Sequence, residues 1–179
     1  PSFAALACVA ERNLKKLKDL IAVHGLQVCQ GVGPQGKTIL HTAAFGGNRD
    51  IVEYLVKECG LGSCINSEDE DGHTPLHNAA HEGHFSVVQF LASQKGCKND
   101  SIDCNQRTPL HYACQNGHYD VAVCLVSDYH CPINIRDKEG TTPLQVAAFA
   151  GHFNLVQFLS KIEGCDKDSC DNKKRTALH

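Results

Sequence analysis

No run in this 179-residue chain approaches the ~18–20 consecutive apolar residues that a membrane-spanning helix needs, so membrane insertion is not expected. Positive charge is not in excess either: 17 Lys and Arg against 20 Asp and Glu give a formal net charge of −3. Nucleic-acid surfaces carry a clear basic excess, and a nucleic-acid partner is therefore not expected. Catalytic signatures are missing as well. There is no Gly-rich phosphate loop, no Ser-His-Asp order and no phased pair of carboxylates, so neither an enzyme nor a bound cofactor is expected. Methionine is absent and the first residue is Pro1, from which a fragment or processed segment of a longer protein is expected. Cysteine, by contrast, is plentiful, and eleven in a chain this size would suit a disulfide framework if the protein were secreted.

What the chain does have is a period. Thr-x-Leu-His stands at Thr38–His41, Thr74–His77, Thr108–His111 and, at the end, Thr176–His179, with Thr142–Gln145 in the same phase. The threonines are spaced by 36, 34, 34 and 34 residues. Further landmarks keep step with each Thr. Small residues lie five and six positions on (Ala43/Ala44, Ala79/Ala80, Ala113/Cys114, Ala147/Ala148), and a glycine nine on (Gly47, Gly83, Gly117, Gly151). An apolar pair then leads to a closing leucine (Leu55, Leu91, Leu125, Leu159).

The landmarks spell a helix pair. Thr is a good N-cap, Pro suits the first helical position because the N–H it lacks has no helical partner there, and Gly suits a left-handed helix end. The small pair lets a second helix, starting about twelve residues after the Thr, approach closely. An Asp five before the Thr (Asp69, Asp103, Asp137, Asp171) and a Gly two before it (Gly36, Gly72, Gly140) mark a tight turn between units. Gln106 and Lys174 replace that Gly, so those turns must be strained or differently shaped.

The Thr-Pro-Leu-His start, the Ala-Ala pair, the Gly-His step (Gly83-His84, Gly117-His118, Gly151-His152) and the period of about 33 resemble the ankyrin repeat. The resemblance implies an all-α solenoid of stacked helix-turn-helix units joined by short hairpin-like turns. It divides the chain, as one array, into units at 38–73, 74–107, 108–141 and 142–175. Residues 1–37 form a degenerate first unit, in which Phe3 takes the Thr position, Cys8/Val9 the small pair, and Leu17 and Leu20 the places of Val52 and Leu55. Thr176–His179 begin a further repeat.

The phased histidines allow two readings, metal or acid–base chemistry, or a link from the Thr to the adjoining turn as in the family. Gln145 occupies the same position and cannot titrate, which favours the link. His77 and His81 share an i, i+4 spacing, but His81-Glu82-Gly83-His84 is not a zincin motif, and no metal site is expected. Among the cysteines, Cys97, Cys131 and Cys165 are phased, and stacked units lie ~8–10 Å apart, beyond disulfide reach. Cys59/Cys64, Cys97/Cys104 and Cys165/Cys170 flank loops and are the pairs able to approach. All eleven are expected to be reduced thiols in a cytoplasmic, reducing setting.

Because the repeat dictates the buried positions, specificity must lie at exposed, unphased ones. In the family these are the turn residues before each Thr and the outward side of the first helix. They include Lys37, His73, Arg107 and Thr141 in the turns, with Thr42/Phe45, Asn78/His81, Tyr112/Gln115 and Val146/Phe149 on the helices. Phe45 and Phe149 stand three repeats apart, ~25–30 Å, too far for one apolar patch. The expected function is a monomeric scaffold that binds a protein through this concave face. The alternative is a structural or regulatory spacer packing against other domains of its own parent chain.

Overall fold

The computed structural model describes residues 2–178, which form ten α-helices and no strand. The helices come in pairs: α1 (Ser2–Ala10) with α2 (Leu14–His24), α3 (Ile39–Gly46) with α4 (Arg49–Lys57), and α5 (Pro75–Glu82) with α6 (Phe85–Ala92). Then follow α7 (Pro109–Gln115) with α8 (Tyr119–Val123) and α9 (Pro143–Phe149) with α10 (Phe153–Ser160). A π-turn, Cys124–Asp128, extends α8 and buries Leu125 and Val126.

Consecutive first helices pack on one another in the order α1, α3, α5, α7, α9, and second helices form a parallel layer behind them. The phased small residues are the reason. Ala43, Ala44, Ala79, Ala80, Ala113, Cys114 and Ala147 are all fully buried where the layers meet. Leu55, Leu91, Leu125 and Leu159 are equally inaccessible, each contributing about 1.5–3 kcal/mol by leaving water.

In the first unit Asn13 caps α2 as Asn48 caps α4 in the next, each accepting from the N–H three residues on (2.9 and 3.2 Å). That common cap sets Leu17 against Val52, and Leu17 is fully buried, whereas Leu20 stays half-exposed. Cys8 and Val9 are buried as the small pair requires. Phe3 does not serve as a cap: it lies inside α1 and is 75% exposed.

Each later unit opens on a reciprocal cap. The backbone N–H groups of Thr38, Thr74 and Thr108 donate to Nδ1 of His41, His77 and His111, each at 3.1 Å. An N–H can only donate, so Nδ1 is bare and the ring proton sits on Nε2. That Nε2–H reaches the next turn, donating to the carbonyls of His73 (2.8 Å), Arg107 (3.0 Å) and Thr141 (3.2 Å). Gln145 does the same with its amide: Oε1 accepts from Thr142 N–H (2.9 Å) while Nε2 donates to the Arg175 carbonyl (2.8 Å). These residues are links between units, as the Gln145 exception implies.

A second histidine ladder runs alongside. His84, His118 and His152 donate from Nε2 to the carbonyls of Phe45, His81 and Gln115 in the preceding unit (2.9, 2.9 and 3.0 Å). Their rings lie against Gly47, Gly83 and Gly117, where a Cβ would stand only 2.4–2.6 Å from the imidazole. Glycine is thus required there twice, by a left-handed φ of 72–76° and by the neighbour's ring.

The turns between units are also stitched. The inner oxygen of each phased Asp accepts two backbone N–H groups of its own turn, as in Asp103 with Asn105 and Arg107 (both 2.8 Å). Cys104 N–H then donates to the Asp71 carbonyl of the preceding turn (2.9 Å) and Lys138 N–H to that of Asn105 (2.9 Å). Gln106 and Lys174 keep the shape of the glycine turns, at φ 60° and 62°, so these two are strained and not reshaped. A left-handed side-chain-bearing residue costs roughly 1–2 kcal/mol, part of which glycine's extra freedom in the unfolded chain offsets. Gln106→Gly is expected to raise stability by about 0.5–1 kcal/mol, read from the urea midpoint. A lowered midpoint would mean that the Gln106 side chain contributes more than its backbone costs.

Candidate partner-binding face

The turns and the first helices make one continuous face, and its exposure is uneven. Position seven of each first helix points outward: Phe45 is 54% exposed, Phe149 41%, and His81 and Gln115 are exposed too. Thr42 and Asn78, at position four, are half-buried. Tyr112 and Val146 at the same position are buried, and so is Thr141 in its turn, which corrects the expectation that these three side chains are presented to a partner. Position four faces the neighbouring turn, so a large side chain there is covered by it. Lys37, His73 and Arg107 are half-buried.

Six of the expected residues come together around a concavity of about 200 Å³: Lys37, Phe45, His73, Asn78, His81 and Tyr112. The Tyr112 ring stands 5.5 Å from the rings of both His73 and His81, and its hydroxyl donates to Asp103 Oδ2 (2.5 Å). Burial and that carboxylate push the Tyr112 hydroxyl pKa well above its ordinary value. Burial by itself would raise the Asp103 carboxyl, but the Tyr112 hydroxyl and the turn's N–H groups outweigh it and hold the pKa low. Arg107 bridges outward, from Nε to Asp137 Oδ2 (3.2 Å) and from Nη1 to Gln115 Oε1 (3.1 Å). Phe149 stands apart with the Arg175 guanidinium 4.7 Å from its ring.

The carboxylates behind this face, Asp69, Asp103 and Asp137, were legible in the sequence only as turn markers. The second oxygens of Asp103 and Asp137 are what tie Tyr112 and Arg107 in place. The acidic run 68–71 is likewise not all solvated, because Asp69 is buried within its turn. His77 is committed to Thr74 and Arg107, and His81 Nδ1 to Glu82 Oε1 (2.7 Å), so the i, i+4 pair does not converge.

The eleven cysteines are free thiols. Burial pushes Cys97 and Cys131 up to about 12 and, with smaller help from Cys59 and Asp128 respectively, Cys29 and Cys124 to about 11. Thiolate, the reactive form, is therefore scarce at these positions at neutral pH. Among the described residues no helix is long and apolar enough to cross a membrane.

The family model for ankyrin repeats (3 copies) matches residues 3–103, 59–137 and 123–179. The chain belongs to the ankyrin-repeat family. No curated protein matches it. Ankyrin repeats are interaction modules that generally bind other proteins, and they are not catalytic ones.

Proposed function

We propose that this ankyrin array is a monomeric scaffold in a reducing, cytoplasmic setting that binds a protein through its concave face. The anchors are Phe45 and Phe149, and the polar contacts come from Lys37, Thr42, His73, Asn78, His81, Arg107 and Gln115. The observation that carries this reading is the row at position seven. The first helices α3, α5, α7 and α9 bury nearly all their other apolar residues but leave Phe45 and Phe149 in water, with His81 and Gln115 between them; Phe85 and Phe153 are also exposed, but on second helices. Aromatic residues exposed on a rigid element are the usual anchors of protein interfaces. Their separation suits a folded surface or a long extended segment, not a small molecule.

The two anchors are not equivalent. Arg175 covers one side of Phe149, while among the described residues no ring or cation pairs with Phe45. A photo-crosslinking residue placed at Gln115 identifies the partner, with the same residue at Gln157 on α10 as the control. Against that partner, Phe45→Ala is expected to weaken binding by about 1–2 kcal/mol and to change the unfolding midpoint little. Phe149→Ala is expected to lower both. Unchanged affinity in both variants would remove the concave face as the binding site. If adducts form only within the array's own longer chain, the spacer reading takes its place.

A further inference from the structure

The second oxygens of the four turn aspartates are treated differently. That of Asp103 accepts from Tyr112, that of Asp137 from Arg107 (3.2 Å) and that of Asp171 from Arg175 (2.8 Å). Asp69 Oδ2 has no hydrogen-bond partner, although the Asp69 side chain is fully buried. Its nearest basic neighbour is His73 Nδ1, 3.6 Å away. Orphaned carboxylate oxygens in a buried place are costly and call for an explanation.

The other side of the imidazole says which atom faces Asp69. Tyr112 spends its hydroxyl hydrogen on Asp103, so its oxygen can only accept from His73 Nε2, 3.0 Å away. Asp103 Oδ2 is a second acceptor at 3.3 Å. Nε2 therefore carries a proton, and in the neutral ring Nδ1 presents a lone pair. Its lone pair and those of Asp69 Oδ2 then face each other at 3.6 Å with no hydrogen bond joining them. Such a pair is satisfied by a cation.

Asp71 supplies a third donor. One oxygen of its exposed carboxylate, Asp69 Oδ2 and one His73 ring nitrogen all lie within 4.8 Å of one another. Two ligands bound at ~2.0–2.2 Å to a tetrahedral centre are ~3.3–3.5 Å apart, close to the observed Nδ1–Oδ2 separation. A ring nitrogen turned to the site while the other donates to a carboxylate is the usual support of a metal-bound histidine. One imidazole and two carboxylates suit a first-row divalent transition cation, with water completing the shell.

We propose that Asp69, Asp71 and His73 form a binding site for a divalent transition-metal ion, with Tyr112 and Asp103 as positioning residues. The site lies in the turn before α5, at the rim of the concave face, and does not depend on the partner. Its ligands are distinct from the phased histidines, which the links between units fully occupy.

Cobalt(II) is the suitable probe, because eleven thiols compete for softer ions and Co²⁺ reports thiolate ligation by an intense charge-transfer band. The reduced full chain is expected to bind one Co²⁺ with weak d–d absorption and no thiolate band. Asp71→Asn alters an exposed side chain and leaves the fold intact, and it is expected to weaken this binding at least tenfold. Tyr112→Phe is expected to weaken it by ~10-fold through loss of orientation. A long-range ¹H–¹⁵N spectrum should show His73 Nδ1 unprotonated and shifted by added Zn²⁺. Two results would overturn the proposal: binding that carries a thiolate band and ignores Asp71→Asn, or no one-to-one binding together with a His73 ring protonated on both nitrogens.

Discussion

Between pH 6.5 and 4 the array is expected to lose several kcal/mol of stability, and the fall begins above the range in which its carboxylates protonate. His41, His77 and His111 are buried, and each uses Nδ1 as an acceptor from its own Thr N–H. Burial lowers all three pKa values, that of His77 from 6.5 to about 4. The carbonyl each ring reaches in the next turn, which favours the charged form, only partly offsets it. The unfolded chain therefore binds more protons than the native one below pH 6.5. Stability is complete above that value, falls as the unfolded histidines protonate, and stops falling once the native ones do so, near 4 for His77. For His77 the difference is about 3 kcal/mol, at roughly 1.4 kcal/mol per pKa unit.

Gln145 supplies the control. It makes the same cap and the same link to the next turn with a group that does not titrate. The triple variant His41→Gln/His77→Gln/His111→Gln is expected to fold at pH 7.5 and to show a much flatter profile down to pH 4.5. Urea unfolding in the presence of a chelator, which removes any metal contribution, measures both. A triple variant that keeps the wild-type slope would place the titrating groups elsewhere.

Gly83→Ala is expected to destabilise the array by about 2–3 kcal/mol. The left-handed backbone, at φ 75°, costs an alanine about 1 kcal/mol. The new Cβ would also stand 2.4 Å from His118 Nδ1, which must move and give up its 2.9 Å bond to the His81 carbonyl. Losing that bond is worth about another 1 kcal/mol. Gly151 separates the two causes, for it has φ 78° but no atom within 4 Å of the point where a Cβ would stand. Gly151→Ala should therefore cost only the backbone part, about 1 kcal/mol. In a His118→Ala background, Gly83→Ala should fall to the same value. Equal effects of Gly83→Ala with and without His118 would show that the ring yields freely and the contact stores nothing.

The period, the caps and the buried stripe were legible because they rest on near neighbours in the chain. Thr74 meets His77 three residues on, and Gly83 ends the helix that Pro75 begins. Spacing settles such relations. It also identified the Phe45, His81, Gln115 and Phe149 row, since position seven turns away from the buried residues of its helix. Spacing did not show that Tyr112, Thr141 and Val146 are covered, because what covers them comes from other turns and helices.

Sequence by itself therefore determined the unit: where each helix starts and stops, which residues it buries, and that the histidine link needs no charge. Only the stacked structure decided what the units share. Asp69 is left with an unanswered oxygen, whereas that of Asp103 takes Tyr112 on the following helix, that of Asp137 takes Arg107 from the preceding turn and that of Asp171 takes Arg175 of its own turn. Identical aspartates in identical turns thus acquire different partners. Their neighbours are set by which side chains happen to face them across the stack, and a repeat read one unit at a time carries no information on that.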